Sequence, residues 1–338
     1  MGTSKFIIIL ASAMLTTSCE RVFMSENSST SPEAIYEEYF KLVEEKFAIL
    51  TDPGKNIKLD SLYTAHRASI NNSISSDSLF TVLGSLCLAL RDGHSYLFDP
   101  VSSKDVVYRF EEGVPKNYDQ SLINQHYLQA DVRTAGTGLK YTLLDSGQVG
   151  YIEYRSFDED VSTVMMNEVL QYFKNTKGLI IDVRGNGGGS PAIAAIMASH
   201  FTDKEVYIGY ENIKTGPGVN DFSASHMYNR PAFDGEIYTK PIMVLTNIDC
   251  FSATTTFIYH LNPLPHVRIV GAKTGGGSGG PSDGYLANGW QWSLSTTEFI
   301  DFEGRRLDNG FSPDIHVQLN TNSPTVDEII ERAIQELN

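Results

Sequence analysis

The sequence predicts an α/β protein, a largely parallel sheet with flanking helices behind a small N-terminal helical subdomain. Two observations carry this. From residue 141 onward, continuous apolar runs alternate with amphipathic helical stretches, the pattern of repeated βαβ units. Between residues 31 and 97, apolar residues recur at helical spacing instead. Composition agrees: 41% hydrophobic and 20% charged residues read as an ordinary globular protein, and 338 residues can bury a sizeable core.

The chain opens with MGTSKFIIILASAMLTTSCE. One lysine, a short apolar run and small residues read as a secretory signal over residues 1–18, too short for a comfortable membrane span. Small residues leading into Cys19 are similar to a bacterial lipobox, which would make Cys19 the lipid attachment site. Thr16, Thr17 and Ser18 depart from the commoner lipobox residues, so an ordinary cleaved signal is the alternative. SENSSTSPE, within residues 19–30, reads as a polar tether. The expected location is a bacterial envelope, periplasmic or cell surface, with membrane contact through the lipid only.

Pro32 suits a first helical turn, and Ile35, Tyr39, Leu42, Val43, Phe47 and Leu50 mark one helical face. SLYTAHRASI gives a second helix. Leu79, Val82, Leu83, Leu86 and Leu90 give a third, stopped at Asp92-Gly93. Residues 98–140 read as a linker with short strands. The α/β core then covers 141–338. KYTLLDSGQVGYIEYRSF reads as two strands around a turn, followed by the helix VSTVMMNEVLQYFKNTKG. GLIIDVR, KPIMVLTN and VRIVGA read as strands buried on both faces, with helices at 191–201 and SATTTFIYHL between them. TVDEIIERAIQEL is a final amphipathic helix.

A net charge of −15 and no basic stripe argue against nucleic-acid binding. That charge gives a mild bias toward neutral or basic partners, although net charge does not map a cleft. No HExxH and no paired Cys/His spacing is present, so no metal and no cofactor is expected. Beyond Cys19 only Cys87 and Cys250 remain, which allow one bridge or two buried thiols. Oligomeric state is not legible.

The stretch IDVRGNGGGSPAIAAIMASHF poses the functional question. Four glycines in five positions join a buried strand to a helix. Such a loop lets backbone amides approach an anion, and the helix start adds a positive potential. The spacing fits neither a P-loop nor a dinucleotide fingerprint, which leaves a tight turn or an oxyanion site. Ser252 lies at the next strand-to-helix junction, where a serine is an N-cap or a nucleophile. His94, just past a helix end in LALRDGHSYLF, is the candidate base, because the negative helix end favours an imidazolium.

Taken in order, LRDGHS, DVRGNGGG, VLTN-x₄-SA, IVGAKTGGG and DNGFSPDI resemble the carboxy-terminal processing (tail-specific) serine peptidases. Within them the chain resembles most the branch of the tricorn core and the interphotoreceptor retinoid-binding protein modules, over roughly residues 31–335. The resemblance implies a crotonase/ClpP-like sheet and peptide-bond hydrolysis through an acyl-enzyme on peptide or protein substrates. It implies Ser252 as nucleophile, His94 as general base, and the amides of Ala253 and Gly188, or neighbouring Gly187, as oxyanion donors. Gly277 stands where many relatives carry the lysine of a Ser–Lys dyad, and Lys273 is out of register. Asp308 stands where the branch has an orienting glutamate, with Glu303 in reserve and Asp314 ordering the turn. Residues 98–140 are too few for the PDZ domain that many relatives insert, so the resemblance does not extend to tail specificity. Two alternatives are a non-catalytic module binding a peptide or apolar ligand on the same fold, and a crotonase-like acyl-CoA hydrolase.

Overall fold

The structure, a computed structural model, describes residues 29–52, 55, 57–109, 114–129, 131–320 and 326–338. The signal segment, Cys19 and all but the end of the tether lie outside the described residues. Among the described residues no helix is long and apolar enough to cross a membrane.

Three helices come first: α1 (Pro32–Lys46), α2 (Leu59–Arg67) and α3 (Ser76–Ala89). Ser31 caps α1 by accepting from the Ala34 amide, with Pro32 in the first turn, and Ser75 caps α3 by accepting from Ser78. The chain continues through β1 (Tyr96–Asp99), β2 (Lys104–Val107), α4 (Gln120–His126), β3 (Arg133–Ala135), β4 (Leu139–Leu144) and β5 (Val149–Tyr154). Next come α5 (Thr163–Tyr172), β6 (Gly178–Asp182), α6 (Pro191–Ser199), β7 (Val206–Ile213) and β8 (His226–Arg230). The remainder is β9 (Ile242–Thr246), α7 (Ala253–Leu261), β10 (Val267–Gly271), β11 (Pro281–Tyr285), β12 (Gln291–Ser295), β13 (Thr297–Asp301), β14 (Ile315–His316) and α8 (Glu328–Leu337).

The central sheet has seven strands in the order β14-β10-β9-β6-β5-β4-β3. It is parallel from β14 to β5, and β4 and β3 run antiparallel at one edge. Both faces are covered. Ile181 and Val244 pack among side chains of α5, α6 and α7, while Ile180, Met243 and Leu245 pack against α4 and α8. Burial on both faces explains why these strands are uniformly apolar rather than alternating.

Two expectations need correction. The helical region 31–97 does not close its own core. Leu286, Trp290, Trp292 and Leu294, from the far end of the sequence, pack with α1 and α3 around Leu97. Trp292 and Leu294 lie on β12 and Leu286 and Trp290 in the β11–β12 connection, part of a second sheet, β11-β12-β1-β2. Three short helices alone leave an apolar face that a neighbouring sheet can cover. The segment 98–140 is also more than a linker with short strands. It contains α4, capped by Asp119, whose Leu122 and Ile123 cover one sheet face. A seven-residue helix with two buried residues has too little periodicity to read.

A buried ionic network fixes β6 against α8. Asp182, Arg184 and Asp327 are fully buried. Arg184 pairs with Asp182 at 2.7 Å and with Asp327 at 2.9 Å, and Arg155 reaches Asp182 at 3.0 Å. Burial opposes the Asp182 charge, but Arg155 and Arg184 hold its carboxyl well below the usual range. Asp327 also caps α8, accepting from Ile329 and Ile330. Asp327→Ala should therefore lower the unfolding free energy by about 3 kcal/mol or more, because it strands part of a buried guanidinium. Urea titration measures this, and a loss below about 1 kcal/mol would show that the network is dispensable.

Candidate active site

The glycine loop leaves β6 through Val183 and Arg184 and runs across the start of α7. Gly188 has φ +110° and Gly189 φ +131°, conformations that favour glycine. Space is as demanding as conformation. A Cβ on Gly188 would lie 2.7 Å from Ser252 Cβ and 2.9 Å from the Ala253 nitrogen, and one on Gly189 would lie 2.4 Å from the Asp158 nitrogen. The loop is rich in glycine because it runs in contact with another backbone. Asn186 rivets the two together. Its Nδ2 donates to the Tyr154 carbonyl and its Oδ1 accepts from the Gly188 amide at 3.0 Å. Its own carbonyl accepts from the Phe251 amide and the Thr254 hydroxyl.

Ser252 joins β9 to α7 with φ 56° and ψ −119°. Positive φ on a residue with a Cβ costs on the order of 1–3 kcal/mol, and such strain persists only where neighbours over-determine it. Here the Ser252 amide donates to Gly276 at 3.0 Å and the Phe251 amide donates to Asn186 at 3.2 Å. The hydroxyl does not cap α7. It lies 3.0 Å from His94 Nε2 instead, so the structure brings together the two residues the sequence singled out.

His94 sits between α3 and β1. The Phe251 ring packs on it, with centroids 4.6 Å apart. Burial lowers the imidazole pKa below its ordinary value, an effect partly offset by Asp92 and by the nearby Gly279 backbone. Asp92 is buried and accepts from the His94 amide at 3.4 Å, from the Ser95 hydroxyl at 2.6 Å and from the Ser295 hydroxyl at 2.8 Å.

Asp308 does not orient His94 directly. Among the described residues no carboxylate bonds the buried His94 Nδ1, and the Gly279 backbone is its polar neighbour. Asp308 Oδ1 accepts instead from the Ser278 amide at 2.9 Å, the Ser278 hydroxyl at 3.0 Å and the Gly279 amide at 3.1 Å. With one methylene fewer than glutamate, this carboxylate clamps the loop beside the histidine. Burial and neighbouring Asp92 push its pKa up to about 6, against the opposing pull of Lys55. Glu303 is a half-exposed partner of Arg305, so it is not the reserve carboxylate. Asp314 orders the turn by accepting from the Ile269 amide at 2.7 Å.

The Gly188 amide is committed to Asn186, which removes the first-choice loop donor. The Gly187 and Ala253 amides have no hydrogen-bond partner among the described residues, and Gly187 is exposed. Sequence reading missed Asn186, Phe251, Asp92 and Lys55, because each joins the site through side-chain contacts that periodicity does not show. Cys87 and Cys250 are buried free thiols rather than a bridge.

A family model for peptidase family S41 matches residues 148–317, and the chain belongs to that family. It is 32% identical to a peptidase structure from Parabacteroides merdae, with a TM-score of 0.85, covering 91% of this chain and 97% of that one. Mature CPAF complexed with lactacystin has the same fold, at 14% identity and a TM-score of 0.66 over 91% of this chain and 97% of that one. The carboxy-terminal processing protease CtpA of Bacillus subtilis (strain 168) is 24% identical over 181 residues, 53% of this chain. The match spans 37% of that relative's length.

Three variants test the site's construction. Gly188→Ala should cost at least about 2 kcal/mol in stability, from overpacking added to forbidden φ, and should weaken the Ser252–His94 contact. A thermal melt unchanged from wild type would contradict this. Asp308→Asn keeps an acceptor for Ser278 and Gly279, whereas Asp308→Ala does not. If the residue clamps the loop, reactivity at Ser252 should survive in the first variant within about tenfold and fall further in the second. Equal loss in both would show that the charge is what matters.

Proposed function

We propose that this chain is an exported serine endopeptidase that hydrolyses peptides or unfolded proteins through an acyl-enzyme on Ser252. The observation that carries the proposal is the 3.0 Å contact between Ser252 Oγ and His94 Nε2 at a strained strand-to-helix turn. His94 takes the Ser252 proton as Oγ attacks the scissile carbonyl carbon. The carbonyl oxygen becomes an oxyanion facing the uncommitted amides of Gly187 and Ala253. Collapse of this intermediate breaks the C–N bond, and His94 passes the proton to the departing amine. Water, deprotonated by His94, then releases the acid. One amide donor of this kind contributes about 3 kcal/mol to transition-state binding. The lysine, apolar run and small residues before Cys19 support export and lipid anchoring in a bacterial envelope.

The lack of a carboxylate on the His94 ring among the described residues favours a second reading, a binding module on the same fold without turnover. Reaction with a fluorophosphonate separates the two. Soluble protein lacking residues 1–19 should gain one covalent adduct by intact mass. Ser252→Ala should gain none, and His94→Ala should react at least about 10³-fold more slowly. A folded wild-type protein that forms no adduct would leave the binding module standing.

The pH dependence carries a sign. Only neutral His94 can accept the serine proton, and burial lowers its pKa. The reaction should therefore remain fast below the ordinary histidine value, with its acid limb centred below about 6.5. Burial pushes the Asp308 carboxyl up to about 6, so the limb should persist in Asp308→Asn if it belongs to His94. An acid limb centred above about 7 would contradict the assignment.

A further inference from the structure

The far ends of α6 and α7 meet a buried cation that the peptidase chemistry does not use. These helices start beside the glycine loop and Ser252, and each is nine residues long. Their far ends therefore lie about 13 Å along the helix axes from the catalytic edge. Arg230, the last residue of β8, is only 4% exposed there. Its Nη1 donates to the Ala198 carbonyl of α6 at 3.0 Å. His260, in the last turn of α7, and His266, just before β10, face the guanidinium.

Arg230 lacks a counter-charge and two hydrogen bonds. Its Nε and Nη2 are buried and have no partner among the described residues. No carboxylate pairs with it among the described residues. Burial alone acts on its pKa, lowering it to about 10, so the group stays charged at neutral pH. The histidines bring no negative charge. Burial and then Arg230 lower the His260 pKa to about 4, which leaves a neutral ring, and its Nδ1 is buried without a partner. The His266 ring has the Phe201 backbone as its polar neighbour. The free edge of the guanidinium decides what fits. The N–H bonds of Nε and Nη2 point side by side, a fork that grips one anion with two parallel hydrogen bonds. The Ala198 carbonyl occupies the other nitrogen, so the anion-gripping edge is the free one. Water could satisfy these donors but not the charge, and a buried cation without a counter-ion is costly.

We infer that Arg230 and His260 form a binding site for a chloride-sized inorganic anion at the end of α6 and α7 opposite the active site. Its size follows from enclosure. The free nitrogens are buried, which excludes a peptide carboxylate or a nucleotide phosphate. The neutral His260 ring can carry its one N–H on Nδ1 and add a third donor. A bound anion ties β8 to the last turns of the two helices that start at the glycine loop and Ser252, so it stabilises the fold from the side away from the cleft. The site does not depend on whether Ser252 cleaves peptides.

Bromide, which replaces chloride and scatters anomalously, provides the test. Crystals of the protein soaked in sodium bromide should show an anomalous peak in contact with both Nε and Nη2 of Arg230. In solution, replacing gluconate by chloride up to about 0.2 M at constant ionic strength should raise the thermal midpoint by about 2 °C. Arg230→Met keeps a stem without the charge and should abolish that rise. If this variant does not fold, the wild-type peak and the wild-type chloride response together decide. Density at the fork without a bromide signal, as a water would give, overturns the inference. So does an equal chloride response in folded Arg230→Met protein. A bromide peak with no chloride response in solution marks an adventitious ion only and overturns it too.

Discussion

The structure depends on one close approach of two backbones. The loop after β6 and the turn before α7 touch at Gly188 and Ser252, where a single added methyl carbon would sit 2.7 Å from the serine Cβ. Neither segment could hold its shape alone. The serine is strained and the glycines carry a large conformational entropy, so each relies on the other for order. Asn186 joins them, bonding back to β5 and forward to the residues on both sides of Ser252. The result is a rigid concavity lined by amide hydrogens, built where two parallel strands end side by side at the carboxyl edge of the sheet.

The remaining parts of the site are delivered to that edge from a distance. His94 comes from the junction of the helical region with a second sheet, and it is held by Phe251, the residue before the nucleophile candidate. That region is completed by strands from residues 281–295, so the histidine is placed by the whole chain rather than by an autonomous subdomain. Asp308 acts one step further away, through the loop at Ser278 and Gly279. Histidine orientation thus rests on aromatic packing and backbone placement. A triad with the carboxylate on the imidazole would hold the ring electrostatically instead.

Much of this was legible in sequence. Strands buried on both faces announce themselves as unbroken apolar runs, as GLIIDVR and KPIMVLTN do, and helices with capping serines announce their starts. Ser252 and His94 could be picked out because each stands at an element boundary with a defined backbone role. The misses share one cause. The motif does not separate Gly188 from Gly187 as a donor, because the occupation of the Gly188 amide by Asn186 is a contact inside a loop, invisible to periodicity. Position in a motif marks Asp308, yet the reach of its side chain is set by one methylene and by the path of residues 274–279. The basic corner assembles Arg230, His260 and His266 from three separate segments, so no local charge run marks it.

The central claim is that the glycine loop exists to bring backbone amides to a developing negative charge beside Ser252. A crystal structure of the protein after reaction with a fluorophosphonate tests this most directly. The phosphonyl oxygen should accept from both Gly187 and Ala253 amides at about 3 Å, with the Gly188 amide still on Asn186. A phosphonyl oxygen turned to solvent, with neither amide engaged, would contradict the account and reduce the glycines to a packing device.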